Sequence, residues 1–241
     1  PIPRLIEKPL MTNETTLNTS IECVLFDLDG TLIDTAADFV VVVNQLLEEH
    51  NMPHIESALI HQTVSDGARA LVKLAFQIEE EHPDFSSLNQ RLLDLYYEQL
   101  VTTEAALYPG LDELLLKLES NSIPWGIVTN KPEKYSIRLL EKLELSSRCS
   151  VLICPEHVSE RKPHPEPILL ACQKLQKDTE RTVYIGDHVR DIQAAKNADV
   201  IAIAAAYGYL SADSKVEEWY ADFILQSSTQ TESLLNLLKF A

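Results

Sequence analysis

The chain has 241 residues, a formal net charge of −17 at pH 7 and a hydrophobic content of 45%. This length allows one large domain or two small ones, and the hydrophobic content is sufficient for a packed core. The negative charge argues against nucleic acid and anionic membrane surfaces as partners, because both attract clusters of lysine and arginine. A negatively charged substrate would have to be received by a local positive site rather than by the overall field of the protein.

The cysteines show neither a Cys-x-x-Cys spacing nor a metal-ligand pattern with the seven histidines; they are Cys23, Cys149, Cys154 and Cys172. Cys23 and Cys172 fall in apolar periodic runs, so we expect them to be small buried residues. No apolar run approaches the roughly 18 residues that a membrane-spanning helix needs. The polar segment 1–19 contains Met11, a candidate native start, and we expect a flexible leader there. These features together predict a reduced, cytoplasmic compartment.

Short apolar runs alternate with amphipathic segments, which predicts a parallel sheet with crossover helices and an α/β fold. The predicted strands are Cys23–Phe26, Trp125–Val128, Val151–Cys154, Val183–Ile185, Val200–Ala204 and Phe223–Leu225. Three of these runs lead into a polar or charged residue, namely Asp27, Thr129 and Asp187. Ligands of open α/β sheets bind outside the carboxyl ends of the strands, so we expect these three side chains to converge.

The segment between the first two long strands is too long to be a single crossover helix. Residues 35–107 read as helical throughout, with apolar stripes such as Val40, Val43, Leu46 and Leu47. The run Tyr108-Pro109-Gly110 then marks the end of this segment, because proline and glycine interrupt helices. We predict a helical module over residues 35–107, inserted into a core formed by residues 20–34 and 108–241.

Two acidic residues follow the first strand directly. Asp27 and Asp29 stand two residues apart, before Gly30 and Thr31, although no hydrophobic core requires a charge there. Two neighbouring carboxylates repel each other, and proteins keep such an arrangement where a cation or a reaction uses it. An Asp-x-Asp pair alone is a weak signal and would more commonly be a turn that ends a strand. The complete run after an apolar strand favours one carboxylate that attacks, one that transfers protons, and a metal ion.

Three later motifs carry residues that suit the binding of an anion or a cation. Thr129 and Asn130 close the second long strand, where a hydroxyl and backbone N–H groups can hold phosphate oxygens. Lys162 lies in a proline-dense loop that would hold its ammonium rigidly, although a surface lysine is the alternative. Asp187 is a candidate carboxylate ligand of Mg²⁺. Asp191 either supports the same site or begins the next helix.

The run Asp-x-Asp-Gly-Thr at positions 27–31, followed in order by the three later motifs, resembles the haloacid dehalogenase superfamily of phosphatases. The resemblance implies a Rossmann-like core with a helical cap inserted after the first motif. It implies Mg²⁺ as the cofactor, held by Asp27, Asp187 and the backbone carbonyl of Asp29, with Asp191 as an additional carboxylate. Asp27 would attack phosphorus and form an aspartyl-phosphate. Asp29 would protonate the leaving oxygen and then activate water.

The same resemblance implies the residues that would bind the phosphoryl group, namely Gly30, Thr31, Thr129, Asn130 and Lys162. Dehalogenases are a poor match, because such relatives lack a carboxylate at the position of Asp29. One departure from the pattern is His188, since many relatives have a second aspartate there. This leaves Asp191 as the sole extra carboxylate. We expect His188 to be an exposed loop residue, and a hydrogen bond to a metal-bound water is the alternative.

Within the superfamily, the chain resembles phosphoglycolate-phosphatase-like enzymes with a helical cap. It is still more similar to the N-acetylmuramic acid 6-phosphate phosphatases of bacterial cell-wall recycling. The segments that carry this likeness are residues 65–71, 125–132 and 154–158. The expected partner is therefore a small phosphorylated metabolite. The resemblance implies N-acetylmuramic acid 6-phosphate as the substrate, and 2-phosphoglycolate is the alternative. A sugar phosphomutase and a non-catalytic phosphate-binding module are further alternatives, and the oligomeric state is left open.

The predicted cap would select the substrate. The planar guanidinium of Arg69 suits a carboxylate, although a surface arginine is an equal alternative. Both candidate substrates carry a carboxylate, so Arg69 does not distinguish them. Ser65 and Asp66 are the expected partners of polar groups on a sugar.

Overall fold

The structure is a computed structural model that describes residues 20–230 and Leu234. The predicted leader 1–19 and most of residues 231–241 lie outside this part. The strands are β1 (Cys23–Phe26), β2 (Ile33–Asp34), β3 (Ala106–Leu107), β4 (Trp125–Val128), β5 (Val151–Ile153), β6 (Thr182–Gly186), β7 (Ile201–Ala205) and β8 (Phe223–Leu225). Six of them form one parallel sheet in the order β5-β4-β1-β6-β7-β8, which confirms the predicted α/β fold with a Rossmann-like core.

The central strands are buried on both faces, as expected of a parallel sheet covered by helices. Every residue of β1, β4 and β6 is buried, and Leu25 pairs with Gly126 on one side and with Tyr184 on the other. The predicted strands are correct in position, but three of them have different ends. Strand β7 begins at Ile201 because the Val200 N–H donates to the Ala195 carbonyl and so closes the preceding helix.

Eight α-helices accompany the strands in the described residues. They are α1 (Ala36–Glu49), α2 (Ser57–Thr63), α3 (Ala68–Phe76), α4 (Phe85–Gln99), α5 (Leu111–Ser120), α6 (Glu133–Lys142), α7 (Glu166–Leu175) and α8 (Val189–Asn197). Helices α5 to α8 precede or connect strands of the large sheet. The first four all lie between β2 and β3, in the segment for which we predict a separate helical module.

Helix α1 packs against α2, α3 and α4, so these four helices share one apolar interior. The sequence pattern predicted that this segment is helical throughout, and this prediction is wrong in detail. Residues 77–84 include a left-handed residue at Gln77, which ends α3 before α4 begins. Strands β2 and β3 pair antiparallel and bring the two ends of the segment together, an arrangement that supports a module inserted at one place.

The cysteines are free, and Cys23 and Cys172 are buried in the apolar interior, as predicted. Burial raises the pKa of the Cys23 thiol to about 12. Within the part of the chain that the structure describes, no helix combines the length and the apolar character needed to cross a membrane.

Candidate active site

Polar side chains meet at the carboxyl ends of the central strands. The Asp27 N–H donates to the Ile185 carbonyl at 2.8 Å, so its backbone continues the pairing of β1 with β6 before the chain turns. One carboxylate oxygen each of Asp27, Asp187 and Asp191 lies within 4.8 Å of the others. The expected convergence is therefore observed for Asp27 and Asp187. Thr129 lines the same cavity as Asp27.

Lys162 is the cation of this cluster, and its side chain is only 1% exposed. The Lys162 ammonium donates to Asp27 Oδ1 at 2.9 Å and to the Val128 carbonyl at 2.9 Å. It also contacts the Tyr184 hydroxyl at 2.7 Å and Asp191 Oδ1 at 2.8 Å. Burial disfavours the charged form, but Asp191 and Asp27 outweigh it and raise the pKa of Lys162. Lys162 is therefore a buried, fully paired ammonium and not a surface lysine.

The three carboxylates exceed the charge that one ammonium can balance. Burial raises the pKa of Asp187 to about 8, and the charges of Asp27 and Asp191 act in the same direction. Burial also raises the pKa of Asp27 to about 6, although the Lys162 ammonium opposes the shift. A divalent cation would relieve this repulsion, and the carboxylate oxygens are the hard ligands that Mg²⁺ prefers. The residues present thus fit Mg²⁺.

Asp187 is fixed by donors from three parts of the chain. Its Oδ1 accepts from the Thr31 hydroxyl at 3.2 Å, and its Oδ2 accepts from the Ser65 hydroxyl at 2.8 Å and the Tyr209 N–H at 2.9 Å. Gly30 has a φ of +80°, and a Cβ at this position would clash with Asp187 Oδ2. Gly30 and Thr31 thus pack against Asp187 and are not part of the cavity lining. Their predicted contact with phosphate stays a prediction.

For Asp191 the sequence left two alternatives, a contact with the site and a place at the start of the next helix, and the structure shows both contacts. Its Oδ1 contacts the Lys162 ammonium, while its Oδ2 accepts from the His188 N–H at 3.0 Å and so begins α8. His188 is not the exposed loop residue that we expected. Its side chain is 26% exposed, and Nδ1 accepts from the Arg190 N–H at 3.1 Å, which caps the helix. This capping role explains why a histidine is compatible with the position.

Asp29 forms an ion pair with a different lysine, Lys131. The Lys131 ammonium donates to Oδ1 at 2.9 Å and to Oδ2 at 3.1 Å, and the Thr35 hydroxyl donates to Oδ1 at 2.6 Å. Burial disfavours the ammonium, but the neighbouring Asp29 carboxylate and Tyr96 raise the pKa of Lys131. The sequence placed Lys131 in the motif after β4 but did not reveal this pairing. The predicted use of the Asp29 backbone carbonyl as a metal ligand stays a prediction.

Ser65 and Asp66 connect the helical segment with the loop after β6. Besides the bond from Ser65 to Asp187, Arg190 donates to the Ser65 carbonyl at 3.2 Å and to Asp66 Oδ1 at 3.0 Å. The His188 Nε2 lies 3.2 Å from the same Asp66 oxygen. Both residues also line the cavity described next, and their predicted contact with a sugar stays a prediction.

A cavity of about 1020 Å³ joins the carboxylate cluster to the helical segment. The loops after the strands contribute Asp27, Lys162, Thr129 and Asn130 to its lining. The Asn130 side-chain N–H donates to the Lys162 carbonyl at 3.0 Å and thereby connects the two loops. The helical segment contributes Ala68, Arg69, Lys73, Asn89, Leu93 and Tyr96.

Arg69 lies half-exposed on the cavity wall and forms an ion pair with Glu80. Its guanidinium lies 5.2 Å from the centroid of the Phe85 ring. Arg69 is thus a partly exposed arginine with a partner in the protein, and its predicted contact with a substrate carboxylate stays a prediction. Asn89 and Leu93 were missed by the sequence analysis, although their spacing on α4 indicates a common face.

Comparisons with known proteins agree with this geometry. Residues 24–205 match the family described as "Haloacid dehalogenase-like hydrolase". The chain is 37% identical over 216 residues to the N-acetylmuramic acid 6-phosphate phosphatase of Pseudomonas aeruginosa, covering 90% of this chain and 95% of that protein. It is 39% identical over 209 residues to a phosphoglycolate phosphatase of Xanthomonas campestris pv. campestris, covering 86% and 93%.

A solved structure with the same architecture is named as a predicted phosphoglycolate phosphatase from Haemophilus somnus 129PT. Its TM-score is 0.79 at 25% identity, and the match covers 90% of this chain and 99% of that chain. These findings confirm both the superfamily and the class of enzyme that the motifs predict. The chain belongs to the haloacid dehalogenase-like hydrolases, as a phosphatase of that family.

Proposed function

We propose that the enzyme hydrolyses phosphomonoesters through an aspartyl-phosphate on Asp27. The observation that carries this proposal is the pairing of Asp27 with the buried Lys162 ammonium at the wall of the cavity. An ammonium at this place favours the approach of an anionic phosphate to a negatively charged nucleophile. The Thr129 hydroxyl and the Asn130 amide lie on the same wall and suit the remaining phosphoryl oxygens.

The reaction has two half-reactions. In the first, a carboxylate oxygen of Asp27 forms a bond to phosphorus, the bond from phosphorus to the ester oxygen breaks, and Asp29 gives its proton to that oxygen. In the second, water attacks phosphorus and passes a proton to Asp29, and the bond from phosphorus to the Asp27 oxygen breaks. The products are the alcohol and inorganic phosphate, and both aspartates return to their initial states.

The proposed cofactor is Mg²⁺, with Asp27, Asp187 and the Asp29 carbonyl as its protein ligands and Asp191 as a supporting carboxylate. When bound, Mg²⁺ would reduce the repulsion between the Asp27 carboxylate and the phosphate. The crowding of three buried carboxylates around one ammonium supports this assignment. In this proposal, Asp191 supports the site through its ion pair with Lys162 and through the hydrogen bond that it accepts from the His188 N–H.

The proposed substrate is N-acetylmuramic acid 6-phosphate, in the recycling of peptidoglycan. The name of the Pseudomonas aeruginosa relative supports this choice. So does the cavity of about 1020 Å³, since sites for small molecules commonly have volumes of about 300–1,000 Å³. A compact two-carbon acid would leave much of this space to water. The alternative is 2-phosphoglycolate, the substrate in the name of the Xanthomonas campestris relative.

The experiment is a side-by-side assay of both phosphates with the same enzyme preparation. We expect a much higher kcat/KM for N-acetylmuramic acid 6-phosphate, because binding of its sugar, acetamido group and carboxylate can improve alignment of the phosphoryl group. A preference of tenfold or more for 2-phosphoglycolate would overturn the substrate while leaving the phosphatase in place. Steady phosphate release from a simple monoester separates a phosphatase from a binding module and from a mutase, which would leak phosphate slowly.

We also propose the cytoplasm as the compartment of this enzyme. All four cysteines lie in the described residues and are free. Free thiols are the usual state in a reducing compartment, which supports this proposal.

A further inference from the structure

The second lysine of the site, Lys131, is buried between a carboxylate and aromatic rings. The Lys131 side chain is 6% exposed and donates to both oxygens of Asp29. Among the described residues, Asp29 is the only carboxylate that forms an ion pair with Lys131. The contact to both oxygens fixes the rotation of the Asp29 carboxylate, which a single hydrogen bond would leave free.

Two aromatic rings from the helical segment cover the same ammonium. Phe39 of α1 and Tyr96 of α4 stack with their centroids 4.3 Å apart and their planes 7° from parallel. The Lys131 Nζ lies 4.4 Å from the centroid of Tyr96 and 5.2 Å from that of Phe39. Aromatic faces attract a cation most strongly where water is excluded. The Phe39–Tyr96 pair therefore lies against the ammonium that donates to Asp29.

Thr35 adds a third hydrogen bond to Asp29. Its hydroxyl donates to Asp29 Oδ1 at 2.6 Å from the residue that precedes α1. Asp29 thus has partners from the loop after β4 and from the start of the helical segment, but none of these donors contacts Asp27. The two acidic residues of the motif after β1 have separate lysines: Lys162 for Asp27, and Lys131 for Asp29.

We propose that Lys131, held by the Phe39–Tyr96 pair, is the positioning residue of Asp29 and sets the rate of the second half-reaction. This inference rests on the proposed aspartyl-phosphate route. The second half-reaction requires the Asp29 carboxylate to accept a proton from the attacking water while the bond from phosphorus to Asp27 breaks. A carboxylate free to rotate would spend less time in the required orientation, so the aspartyl-phosphate would accumulate.

The choice of substrate separates the two half-reactions. The p-nitrophenolate leaving group needs no proton from the enzyme, whereas the alkoxide of a sugar phosphate does. In Lys131→Met, p-nitrophenyl phosphate should therefore give a burst of about one p-nitrophenolate per enzyme, followed by a steady rate about 100-fold below wild type. The KM should change little, because the proposed role is not to bind the substrate.

The control for the chemistry is Asp29→Asn, which should accumulate aspartyl-phosphate in an acid quench with phosphorus-labelled p-nitrophenyl phosphate, because this leaving group needs no proton from Asp29. Lys134→Met is the matched control for removing a lysine, because Lys134 is the lysine nearest along the chain and lies over the Tyr135 ring instead. Lys131→Arg, which keeps the charge, should recover part of the steady rate. If Lys131→Met does not fold, Lys131→Gln gives the same readout without the charge.

The outcomes are distinguishable. If Asp29→Asn accumulates phosphoenzyme and neither Lys131→Met nor Lys131→Gln shows a burst, the proposal for Lys131 is overturned while the phosphatase mechanism stands. If Asp29→Asn accumulates none, the aspartyl-phosphate route itself fails. A raised KM with unchanged kcat in Lys131→Met would instead make Lys131 a ligand of a substrate anion, and this too would overturn the proposal.

Discussion

The Ser65 hydroxyl donates a 2.8 Å hydrogen bond to Asp187 Oδ2, so a residue of the helical segment contacts a candidate metal ligand directly. Arg190 extends the contact by donating to the Ser65 carbonyl and to Asp66. The placement of the helical segment and the arrangement of the carboxylates are therefore linked through three adjacent hydrogen bonds. The cavity described above is lined by residues of these same two parts.

Removing the Asp66 carboxylate should weaken this contact. Asp66→Ala is expected to lower kcat/KM by at most about fivefold, because a partly exposed ion pair contributes about 0.2–1 kcal/mol. The matched control is Glu218→Ala, which removes the exposed ion pair with Lys215 outside the cavity lining. Steady-state assays should show loss of activity in the first variant only. Equal activity of Asp66→Ala and wild type would mean that this ion pair does not influence the site.

Activity should depend on Mg²⁺ and be inhibited by Ca²⁺. Chelation should abolish turnover, and added Mg²⁺ should restore it. Ca²⁺ is larger and accepts more ligands, so both oxygens of Asp27 could bind it and the nucleophile would lose its line of attack. The check is an activity titration with each ion after exhaustive chelation. Full activity in protein shown by elemental analysis to be metal-free would contradict the proposed cofactor.

The metal-free protein should lose stability as the pH rises. The pKa of Asp187 is raised from 3.8 to about 8, and that of Asp27 from 3.8 to about 6. Between these limits the native state binds more protons than the unfolded chain, so the contribution of these groups to the free energy of unfolding falls with increasing pH. Their stabilising effect is complete below the unfolded pKa and is lost through the folded pKa.

Calorimetry of the chelated protein at pH 5 and pH 8 measures this effect. Asp187→Asn should show a smaller decrease in Tm than wild type between these two pH values, because it lacks the group with the larger shift. Added Mg²⁺ should raise the Tm of wild type at pH 8, since it binds the native carboxylates. An equal decrease in both proteins would show that Asp187 does not titrate in this range.

Arg69 is the proposed recipient of the substrate carboxylate. Arg69→Ala should lower kcat/KM for N-acetylmuramic acid 6-phosphate by about tenfold or more, since hydrogen bonds to charged groups contribute about 1.5–3 kcal/mol. Hydrolysis of p-nitrophenyl phosphate should barely change, because this substrate has no carboxylate. Glu80→Gln, which frees Arg69 from its ion-pair partner, is a useful companion. Equal losses on both substrates would assign Arg69 a structural role.

The sheet and the carboxylate cluster could be predicted from local sequence. Strand β1 is apolar at every position because it is buried on both faces, and Asp27 follows it directly. An apolar run followed directly by an aspartate can be recognised from residues that are adjacent along the chain. The order of the motifs then identified Lys162, Asp187 and Asp191 as members of the same site. The structure brings these side chains together, and their chemical roles remain proposals.

The contacts between distant segments could not be predicted in the same way. The pairing of Lys131 with Asp29 depends on β1 and β4 lying side by side in the sheet, and nothing in the run after β4 reveals it. The sequence around Ser65 is that of an ordinary turn. It does not reveal the hydrogen bond to Asp187, which lies 122 positions further along the chain. His188 was misassigned because its capping bond to Arg190 needs the start of α8 to be known. Each of these features follows from tertiary packing and not from local pattern.

The central claim is that Asp27 is the nucleophile, and turnover by Asp27→Asn tests it most directly. The amide keeps the shape of the side chain and removes one of three crowded negative charges, so the variant should fold with equal or greater stability. Steady-state release of phosphate should fall by several orders of magnitude, while the Tm does not decrease. Substantial phosphatase activity in a folded preparation, with contamination by other phosphatases excluded, would contradict the aspartyl-phosphate route.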